Sequence, residues 1–392
     1  MIYKIAAISD IHWGVIDPNL QMRYLDFFRE FLYLHGNDID LLVILGDYFD
    51  SKLSLNSPQA LISNEWFHSI LDLCEKNSIV LRLIQGTNSH DNDQLEVFSP
   101  LENDFFKIIF NTTVEETLPD LTCVYCPDEL LQTSIYEDTY LDEILQRKDI
   151  GFFHGSFDVV YGRLLESKPA ILDKNNVVFR YELWNKTING PMIAGHWHDG
   201  KTYDDLYYCG SPFRYAFDEE EPKGFLLIQY DTESKEYGVG RILNPISPEY
   251  ITYEIYTNMY QTKEDYQKAI EDIRKVLQGF ESYKYHISSK LRVLIYILDE
   301  KTENDILLSS LRGEFSQNRN VKITVKNKLK DKNTKERKEI SKKREEQFQF
   351  IYNKDTKKVH EIIHDFILET SPENVNIPIE FIEEKCKIKG GN

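Results

Sequence analysis

Residues 1–12 read MIYKIAAISDIH, so that an apolar run passes directly into a polar triplet. The run over Tyr3–Ser9 shows almost no alternation with polar residues, which predicts a strand buried on both faces. Four later runs share this character, at residues 41–45, 79–84, 150–153 and 192–194. Helical patterns at about 20–35 and 58–77 separate the first three runs. Strands that alternate with helices predict an α/β fold, and a strand-rich stretch from about 206 to 243 suggests that this unit ends near 245.

A short polar motif follows each of the five predicted strands. In chain order the motifs are Asp10-Ile11-His12, Gly46-Asp47-Tyr48-Phe49-Asp50, Gly86-Thr87-Asn88-Ser89-His90-Asp91, His154-Gly155 and Gly195-His196-Trp197-His198. Any one of them alone is typical of a surface turn. Sites in α/β sheets assemble at the carboxyl ends of the strands, so five motifs in these positions can converge. Carboxylate and imidazole together suit Mn²⁺, Fe²⁺ or Zn²⁺ better than Ca²⁺, and the set therefore predicts a metal site.

The spacing within the motifs favours a site for two ions. One residue separates Asp10 from His12, and one separates His196 from His198. In an extended segment alternate side chains point the same way, so each pair could face one ion. Two ions about 3.5–4 Å apart need a bridging carboxylate, and Asp47, at a Gly-Asp turn, is the candidate. Such a pair of ions ionises a bridging water and stabilises the leaving oxygen of an in-line displacement at phosphorus.

The composition describes a globular chain of 392 residues, of which 41% are hydrophobic and 28% charged. At about 100–200 residues per domain, this length predicts two or three domains. No apolar run approaches the about 18 residues of a membrane span, and the N-terminus lacks the features of a signal peptide. The five cysteines are scattered and odd in number, as expected for free thiols in a reducing compartment. We therefore expect a cytoplasmic protein with no membrane partner.

The net charge of −19 is opposite to that of most proteins that coat nucleic acid. The average conceals a basic stretch, because residues 321–344 hold eleven Lys or Arg and three Asp or Glu, a local balance of +8. An enzyme that acts on nucleic acid needs local positive surface, since phosphate contacts dominate its affinity. The stretch 322–344 is the candidate for that surface. A solvated linker is the alternative, and a flexible basic linker could serve both purposes.

In their order, the five motifs resemble those of calcineurin-like metallophosphoesterases: D-x-H, G-D-x-x-D, a G-N-H-D-like motif, H, and G-H-x-H. The whole chain is similar, more narrowly, to the SbcD-type exonucleases of double-strand-break repair, including their bacteriophage counterparts. Residues 208–212, YCGSP, followed by Lys223-Gly224-Phe225, resemble the segment that closes the phosphoesterase domain of that family. The resemblance implies an α/β sandwich of two mixed sheets flanked by helices, with a small α/β cap and a helical tail.

The resemblance also implies two divalent metal ions, with Mn²⁺ as the preferred ion. The implied ligands of the first ion are Asp10, His12, Asp47 and His198. The implied ligands of the second ion are Asp47, His154, His196 and the asparagine of the third motif. Counting back from His90 puts Ser89 at the asparagine position, whereas allowing an insertion restores Asn88. We expect Asn88 to be the ligand, because an amide oxygen is the better neutral donor.

Two further residues receive roles from the same resemblance. His90 would stabilise or protonate the leaving oxygen, and Asp91 would orient the His90 ring. The residues alone leave Asp50, at the end of the second motif, either as a neighbour of the ligands or as a helix cap. Residues 195–202, GHWHDGKT, also match the nucleotide-binding pattern G-x-x-x-x-G-K-T. That loop requires small residues followed by a helix, so two histidines, a tryptophan and a predicted strand at 203–209 argue against nucleotide binding.

The elements and the resemblance together predict four regions. These are a phosphoesterase domain at 1–245, an α/β cap at 250–327 with the order strand-helix-strand-helix-strand, a basic linker at 328–344 and a helical segment at 345–392. The resemblance implies a nuclease that digests duplex DNA ends in the 3′→5′ direction, with endonuclease activity on single strands as a further option. The helical segment would bind an SMC-like ATPase of the SbcC type, and the nuclease subunits would form a homodimer.

Two alternatives stay open at the level of the sequence. The first is a phosphoesterase with the same metal site that acts on a substrate other than nucleic acid. The cap and the tail argue against it, because such enzymes need neither. The second is a catalytically weak scaffold that recruits the ATPase, an option raised by the departure of the third motif from its pattern.

Overall fold

The structure is a computed structural model. It describes residues 1–128, 148–160, 178–217, 219, 221–257, 262–282, 289–298, 302–315 and 317–327. The predicted basic linker at 328–344 and the predicted helical segment at 345–392 lie outside the described residues. Within the described ranges, every helix is too short or too polar to span a membrane.

The five predicted strands, and the helices predicted between the first three, appear in the expected order, together with elements that were not predicted. The strands are β1 (Ile2–Ile8), β2 (Leu41–Leu45), β3 (Val80–Ile84), β4 (Phe106–Ile109), β5 (Thr113–Leu118), β6 (Leu121–Cys126), β7 (Ile150–His154), β8 (Ser156–Phe157), β9 (Val178–Phe179), β10 (Met192–Gly195), β11 (Thr202–Tyr203), β12 (Leu206–Tyr208), β13 (Gly224–Asp231), β14 (Tyr237–Leu243), β15 (Tyr250–Tyr256), β16 (Lys290–Ile297) and β17 (Val321–Asn327). The α-helices are α1 (Pro18–His35), α2 (Pro58–Asn77), α3 (Tyr181–Thr187), α4 (Lys263–Ser282) and α5 (Thr302–Phe315), and 3₁₀ turns cover Gly36–Asp38 and Asn92–Leu101.

Two mixed sheets of six strands each form the body of the fold. The first has the order β14-β13-β1-β2-β3-β4, and the second has the order β11-β12-β10-β7-β6-β5. The strands that precede the five motifs are parallel to one another within each sheet. In the first sheet β1 is parallel to β2 and β2 to β3, and in the second sheet β7 is parallel to β10. The predicted α/β architecture of two mixed sheets flanked by helices is confirmed.

Alternate residues of the central strands belong to different hydrophobic layers. In β1, Ile5 and Ala7 pack between the two sheets, whereas Ala6 and Ile8 pack toward α1 and α2. All four side chains are fully buried. This explains why the strands read as continuous apolar runs, since a strand covered on both faces has no polar side.

Helix α2 begins as its sequence predicts. The Ser57 hydroxyl accepts a hydrogen bond from the Ala60 backbone N–H at 3.1 Å, and Pro58 occupies the first turn. Trp66 and Ile70 on the inner face are completely buried in the layer that α1 and α2 share with the first sheet. The helix therefore covers the outer face of the sheet that carries the first three motifs.

Beyond β14 the predicted order of strand, helix, strand, helix, strand is confirmed by β15, α4, β16, α5 and β17, and the three strands form a sheet in the order β15-β16-β17. Contacts divide the chain into one unit of Met1–Glu254, Thr262–Leu294 and Ser309–Thr324 and another of Ile255–Gln261, Ile295–Leu308 and Val325–Asn392. Within the second unit, Tyr256 stacks on Tyr296 with ring centroids 4.7 Å apart. The domain boundaries near 245, 327 and 344 stay predictions.

Candidate metal centre

The loop after β1 is fixed to the loop after β2 by backbone hydrogen bonds. The Asp10 N–H donates to the Gly46 carbonyl at 3.1 Å, and the His12 N–H donates to the Asp47 carbonyl at 2.9 Å. Asp10 and His12 have φ angles of 54° and 51°, in the left-handed region. The extended geometry expected for D-x-H is therefore wrong, because the chain turns at both residues. The turns, and not strand alternation, direct both side chains inward.

Helix α1 holds this loop from the outside through one buried amide. The Gln21 side-chain Nε2 donates to the carbonyl oxygens of Ile11 and His12 at 2.8 and 3.0 Å, and the Gln21 Oε1 accepts from the Gly14 N–H at 3.2 Å. Gln21 is completely buried. Gln21, which no sequence pattern identified, thus stabilises a turn that contains left-handed residues.

Glycines let the ends of β2 and β3 approach each other. Gly46 has a φ of 79°, which favours a residue without a Cβ. A Cβ on Gly86 would collide with the Asp47 backbone nitrogen and carboxylate. The two glycines therefore bring Asp47 against the third motif, and the Thr87 N–H donates to Asp47 Oδ1 at 2.6 Å.

The first group of potential ligands consists of Asp10, His12 and His198, with one ligand atom of each within 4.8 Å of the others. His12 Nε2 lies 3.1 Å from His198 Nε2, and His198 Nε2 lies 3.9 Å from Asp10 Oδ1. Asp10 and His12 are buried, whereas the His198 side chain is 31% exposed. This group is therefore open to solvent on the His198 side.

The second group consists of Asp47, His154 and His196, again with ligand atoms within 4.8 Å of one another. His154 is completely buried, and its Nδ1 lies 2.6 Å from the Leu45 carbonyl oxygen. A carbonyl oxygen only accepts, so Nδ1 carries the proton and Nε2 faces Asp47 Oδ1 at 3.2 Å. Fixing one ring nitrogen in this way leaves the other available to a metal ion.

Asp47 lies between the two groups. Its Oδ1 faces His154, and its Oδ2 lies 3.7 Å from His12 Nε2 in the first group. The buried His12 Nδ1 has no hydrogen-bond partner among the described residues. Carboxylate and imidazole donors on both sides of one shared carboxylate fit two divalent cations.

The electrostatics of the groups agree with this fit. Burial alone would raise the pKa of Asp47, but the charge of His154 and its hydrogen bond outweigh burial and lower the pKa far below its usual range. Burial lowers the pKa of His12 to about 3 and that of His196 to about 4. Against burial, Asp47 raises the pKa of His154 to about 10. Without a metal ion the site therefore favours an ionised Asp47 beside a protonated His154, and neutral rings at His12 and His196, which is the form of histidine that binds metal ions. A cation bound at His154 Nε2 would displace the proton from that nitrogen.

His90 lies beside the first group. Its ring centroid is 4.6 Å from that of His12, and its Nδ1 donates to the Asp50 backbone carbonyl. The Asp50 carboxylate Oδ1 lies 3.6 Å from His12 Nδ1, and His12, Asp50 and His90 form a third group of potential ligands. Because His12 is common to the first and third groups, we regard Asp50 as a neighbour of the ligands and not as a ligand itself.

The expectation that Asp91 orients the His90 ring is corrected by the structure. Asp91 is completely buried, and its carboxylate accepts from the backbone N–H groups of Phe49 and Gly86 at 2.9 and 2.7 Å. Asp91 thus ties the loop after β2 to the loop after β3. The ring is oriented instead by the Asp50 carbonyl, since the turn that follows β3 points the two neighbouring side chains in different directions.

The residue of the third motif that lies near the second group is Thr87, and not Asn88 as expected. Asn88 and Ser89 are both exposed. The Thr87 hydroxyl oxygen, in contrast, lies 3.3 Å from Asp47 Oδ2, 3.4 Å from His154 Nε2 and 3.5 Å from His196 Nδ1. The structure therefore brings together six of the seven predicted ligands and does not bring Asn88 to them.

Sequence reasoning also missed the residues that hold His198. Glu219 Oε1 lies 3.1 Å from His198 Nδ1, and Lys223 Nζ lies 3.0 Å from Glu219 Oε2. Burial would raise the pKa of Glu219, but the hydrogen bond with His198 and the charge of Lys223 outweigh it and lower the pKa. The Tyr215 hydroxyl lies 2.7 Å from His198 Nε2. The only signal was the Lys223-Gly224-Phe225 segment, which indicated this region but not its role.

The match of residues 195–202 to a nucleotide-binding loop has no structural support. Gly195 ends β10, and Thr202 begins β11, so a strand follows where such a loop requires a helix. Asp10 accepts from the His196 N–H with both carboxylate oxygens, at 3.0 and 3.2 Å. The backbone amide that would face a phosphate is thus already bonded to the metal centre.

A two-sheet α/β sandwich that gathers histidines and aspartates from five strand ends defines a metal-dependent hydrolase. The chain belongs to the calcineurin-like phosphoesterase family, whose family model matches residues 3–231. The chain is accordingly a metal-dependent phosphoesterase. Among curated proteins, no sequence matches the chain significantly.

Proposed function

We propose that the phosphoester is a phosphodiester of DNA, so that the chain is a metal-dependent nuclease. In this proposal it degrades duplex ends in the 3′→5′ direction with Mn²⁺ as the preferred ion, and single-strand endonuclease activity is a second activity of the same centre. Residues 208–212, YCGSP, with Lys223-Gly224-Phe225, and the order of the predicted cap and tail support the narrower similarity to SbcD-type exonucleases. The structure supports it through the surroundings of His198.

The observation that carries the proposal is a set of cations and aromatic rings that begins two residues after Tyr215, which contacts the centre. Tyr215 contacts His198, and Phe217 follows two residues later with its ring 5.1 Å from that of Tyr250. The Arg292 guanidinium lies 4.9 Å from the Phe217 ring, and Lys290 Nζ lies 5.3 Å from the Tyr250 ring. Positive charge that alternates with aromatic rings suits the phosphates and bases of a strand. A small phosphoester would need neither.

The residues of the centre have separable tasks in this reaction. Asp10, His12, Asp47 and His198 would hold one divalent cation, and Asp47, His154 and His196 would hold the other. When bound, the ions supply an ionised water and neutralise charge that develops on the phosphate. His90 donates its Nδ1–H to the Asp50 carbonyl, which aims Nε2 away from that loop. Nε2 would then deliver a proton to the leaving oxygen of the sugar.

The test compares two substrates of one centre. End-labelled duplex DNA and bis(p-nitrophenyl) phosphate, a small diester, are incubated with Mn²⁺ and wild type, Asp47→Ala, or Arg292→Gln with Lys290→Gln. We expect wild type to cleave both, Asp47→Ala to cleave neither, and the double variant to lose DNA cleavage with little loss on the small diester. Salt should weaken DNA cleavage by wild type much more than cleavage of the small diester.

Other outcomes overturn the proposal in identifiable ways. Cleavage of the small diester without cleavage of DNA, also in the presence of an SMC-like ATPase, would assign the centre to a different phosphoester. A chain that binds metal ions but cleaves neither substrate would be the scaffold. Equal DNA cleavage by wild type and the Arg292 and Lys290 double variant would remove the observation on which the proposal rests.

The proposed partners follow from the same similarity. Residues 345–392 would bind an SMC-like ATPase, and two nuclease subunits would form a homodimer. Deleting 345–392 should abolish co-purification with the ATPase and leave hydrolysis of the small diester intact. Retained co-purification would overturn the assignment of this segment.

A further inference from the structure

The second group of the metal centre contains an oxygen that neither its motif pattern nor the sequence identified. The Thr87 hydroxyl oxygen lies 3.3 Å from Asp47 Oδ2, 3.4 Å from His154 Nε2 and 3.5 Å from His196 Nδ1. These atoms belong to the three residues of the group, and Oδ2 is the Asp47 oxygen that also faces His12 of the first group. One oxygen is therefore almost equidistant from all three.

The distances do not describe an ordinary hydrogen bond. A well-formed O–H···O bond measures about 2.5–3.0 Å, and 3.3 Å to a carboxylate oxygen is longer. Ligands at about 2.0–2.2 Å from a tetrahedral ion are, by geometry, roughly 3.3–3.6 Å apart. The spacing of Thr87 from its three neighbours thus matches four ligands around one cation better than it matches a donor and its acceptor.

Local backbone structure holds the hydroxyl in this place. The Thr87 N–H donates to Asp47 Oδ1 at 2.6 Å, and the Thr87 carbonyl accepts from the N–H groups of His90 and Asp91 at 2.8 and 3.0 Å. This turn carries Asn88 and Ser89 outward, and both are exposed. Two extra residues between Gly86 and His90 therefore leave Thr87 next to the glycine and nearest to the group.

The buried carboxylate of Asp128 lies next to the Thr87 hydroxyl, and none of the roles described above uses it. Asp128 is 8% exposed, its Oδ1 has no partner among the described residues, and its N–H donates to the Gln85 carbonyl at 3.4 Å. The Thr87 side chain forms a hydrogen bond with the Asp128 carboxylate. A hydroxyl that binds a cation through its oxygen must point its hydrogen away from the cation, and the Asp128 carboxylate can accept that hydrogen bond.

We propose that the Thr87 hydroxyl oxygen is a ligand of the divalent cation held by Asp47, His154 and His196, in place of the asparagine of the family pattern, and that the Asp128 carboxylate accepts a hydrogen bond from this hydroxyl. A hydrogen bond to a carboxylate increases the electron density on the hydroxyl oxygen, which makes a neutral ligand a better donor to a cation. The proposal concerns the centre used by the proposed function. It does not depend on DNA as the substrate.

The test measures metal binding by the full chain and requires no substrate. Metal-free protein is titrated with MnCl₂, and free Mn²⁺ is followed by electron paramagnetic resonance. We expect two ions per wild-type chain, with a dipolar-coupled signal from the pair. Thr87→Val keeps the shape of the side chain and removes the oxygen. It should weaken the second ion at least about tenfold and remove the coupled signal at the wild-type saturating concentration.

Two matched variants make the result specific. Thr87→Ser keeps the hydroxyl and should retain both ions, whereas Asn88→Ala should leave the Kd of the second ion unchanged. A wild-type Kd for Thr87→Val, or a weakened second ion for Asn88→Ala, would overturn the proposal. If Thr87→Val does not fold, Asn88→Ala carries the decision, because an intact second ion supports Thr87 and a weakened one refutes it.

Asp128 is tested as a positioning residue through its coupling to Thr87. Asp128→Asn should weaken the second ion less than Thr87→Val does. The double variant should bind it no more weakly than Thr87→Val alone, since Asp128 acts through the hydroxyl. Additive effects of the two changes would refute this role. If wild type does not cleave DNA, the proposed function fails, but these metal-binding results remain valid. Failure of the proposed function and failure of this inference are therefore distinguishable.

Discussion

The two groups of the metal centre share Asp47 but are held in different ways. His198 of the first group is 31% exposed and is oriented by the Glu219 side chain, which in turn is bonded to Lys223. His154 of the second group is fully buried and is oriented by a backbone carbonyl, that of Leu45. A ligand oriented by the backbone moves only if the sheet moves, whereas one oriented by a side chain can be changed by a single substitution.

The comparison suggests a division of roles. The first group borders the loop that bears Tyr215 and Phe217, through which it can meet a substrate. The second group lies at the ends of β2, β7 and β10, where both sheets are packed. We therefore expect substitutions around the first group to alter ion affinity and turnover, and substitutions around the second to alter folding as well.

The largest effect should come from the residue that both groups share. Asp47→Ala removes a carboxylate whose two oxygens face His154 and His12, so both ions should bind weakly and hydrolysis should fall below that of every other variant. Isothermal titration with Mn²⁺ and hydrolysis of the small diester measure both effects. Asp104→Ala, at an exposed position, is the control. Two tightly bound ions in Asp47→Ala would show that the groups are independent.

A smaller but still large effect is expected at His90, beside the first group. If its imidazole protonates the leaving oxygen, His90→Ala should lower kcat by about 10²–10⁴-fold and leave metal binding nearly unchanged. Steady-state kinetics at saturating Mn²⁺ measure it. The exposed His68→Ala on α2 controls for loss of a histidine. A wild-type kcat for His90→Ala would remove His90 from the reaction.

The second group can be disturbed through its backbone. Gly86→Ala forces a Cβ against the Asp47 backbone and carboxylate, and we expect the free energy of unfolding to fall by about 1–3 kcal/mol. Urea denaturation monitored by tryptophan fluorescence measures it. Gly238→Ala in β14 is the matched control, because a Cβ there meets nothing within 4 Å. Equal stabilities of the two variants would contradict the close approach of β2 and β3.

The first group can be disturbed through a side chain. Glu219→Gln removes the charge beside His198, and we expect one ion to bind about 10–100-fold more weakly while the other is retained. Titration with Mn²⁺ resolves the two events. Glu221→Gln, which is exposed, should bind both ions as wild type does. Weakening of both ions in Glu219→Gln would break the contrast between the two groups.

The fold and most of the centre could be predicted because strand ends determine them. The continuous apolar runs before Asp10, Asp47 and His154 identify buried strands, and parallel strands bring their following loops to one edge. A motif does not reveal the residues from other parts of the chain that hold its side chains or backbone in place. Gln21 reaches the first loop from α1, and Glu219 reaches His198 from a distant turn.

The third motif shows a second limit. Counting back from His90 left both Asn88 and Ser89 as candidates for the asparagine position. Only the better donor ability of an amide oxygen favoured Asn88. In the structure, the position near the second group is determined by its distance from Gly86 and not from His90. Gly86 lies against Asp47, and the residue that follows Gly86 is Thr87. The assignment of Asp91 to His90 was wrong for a related reason, as a turn separates neighbours in sequence.

The left-handed backbone of the centre has a consequence for the stability of the chain. Asp10, His12, Asp47 and His196 all have positive φ angles, between 48° and 85°. Each such residue costs roughly 1–3 kcal/mol relative to a relaxed conformation. His196→Gly should therefore give a chain that resists heat better than wild type and has lost a ligand. At these four positions the chain holds its ligands at the expense of thermal resistance.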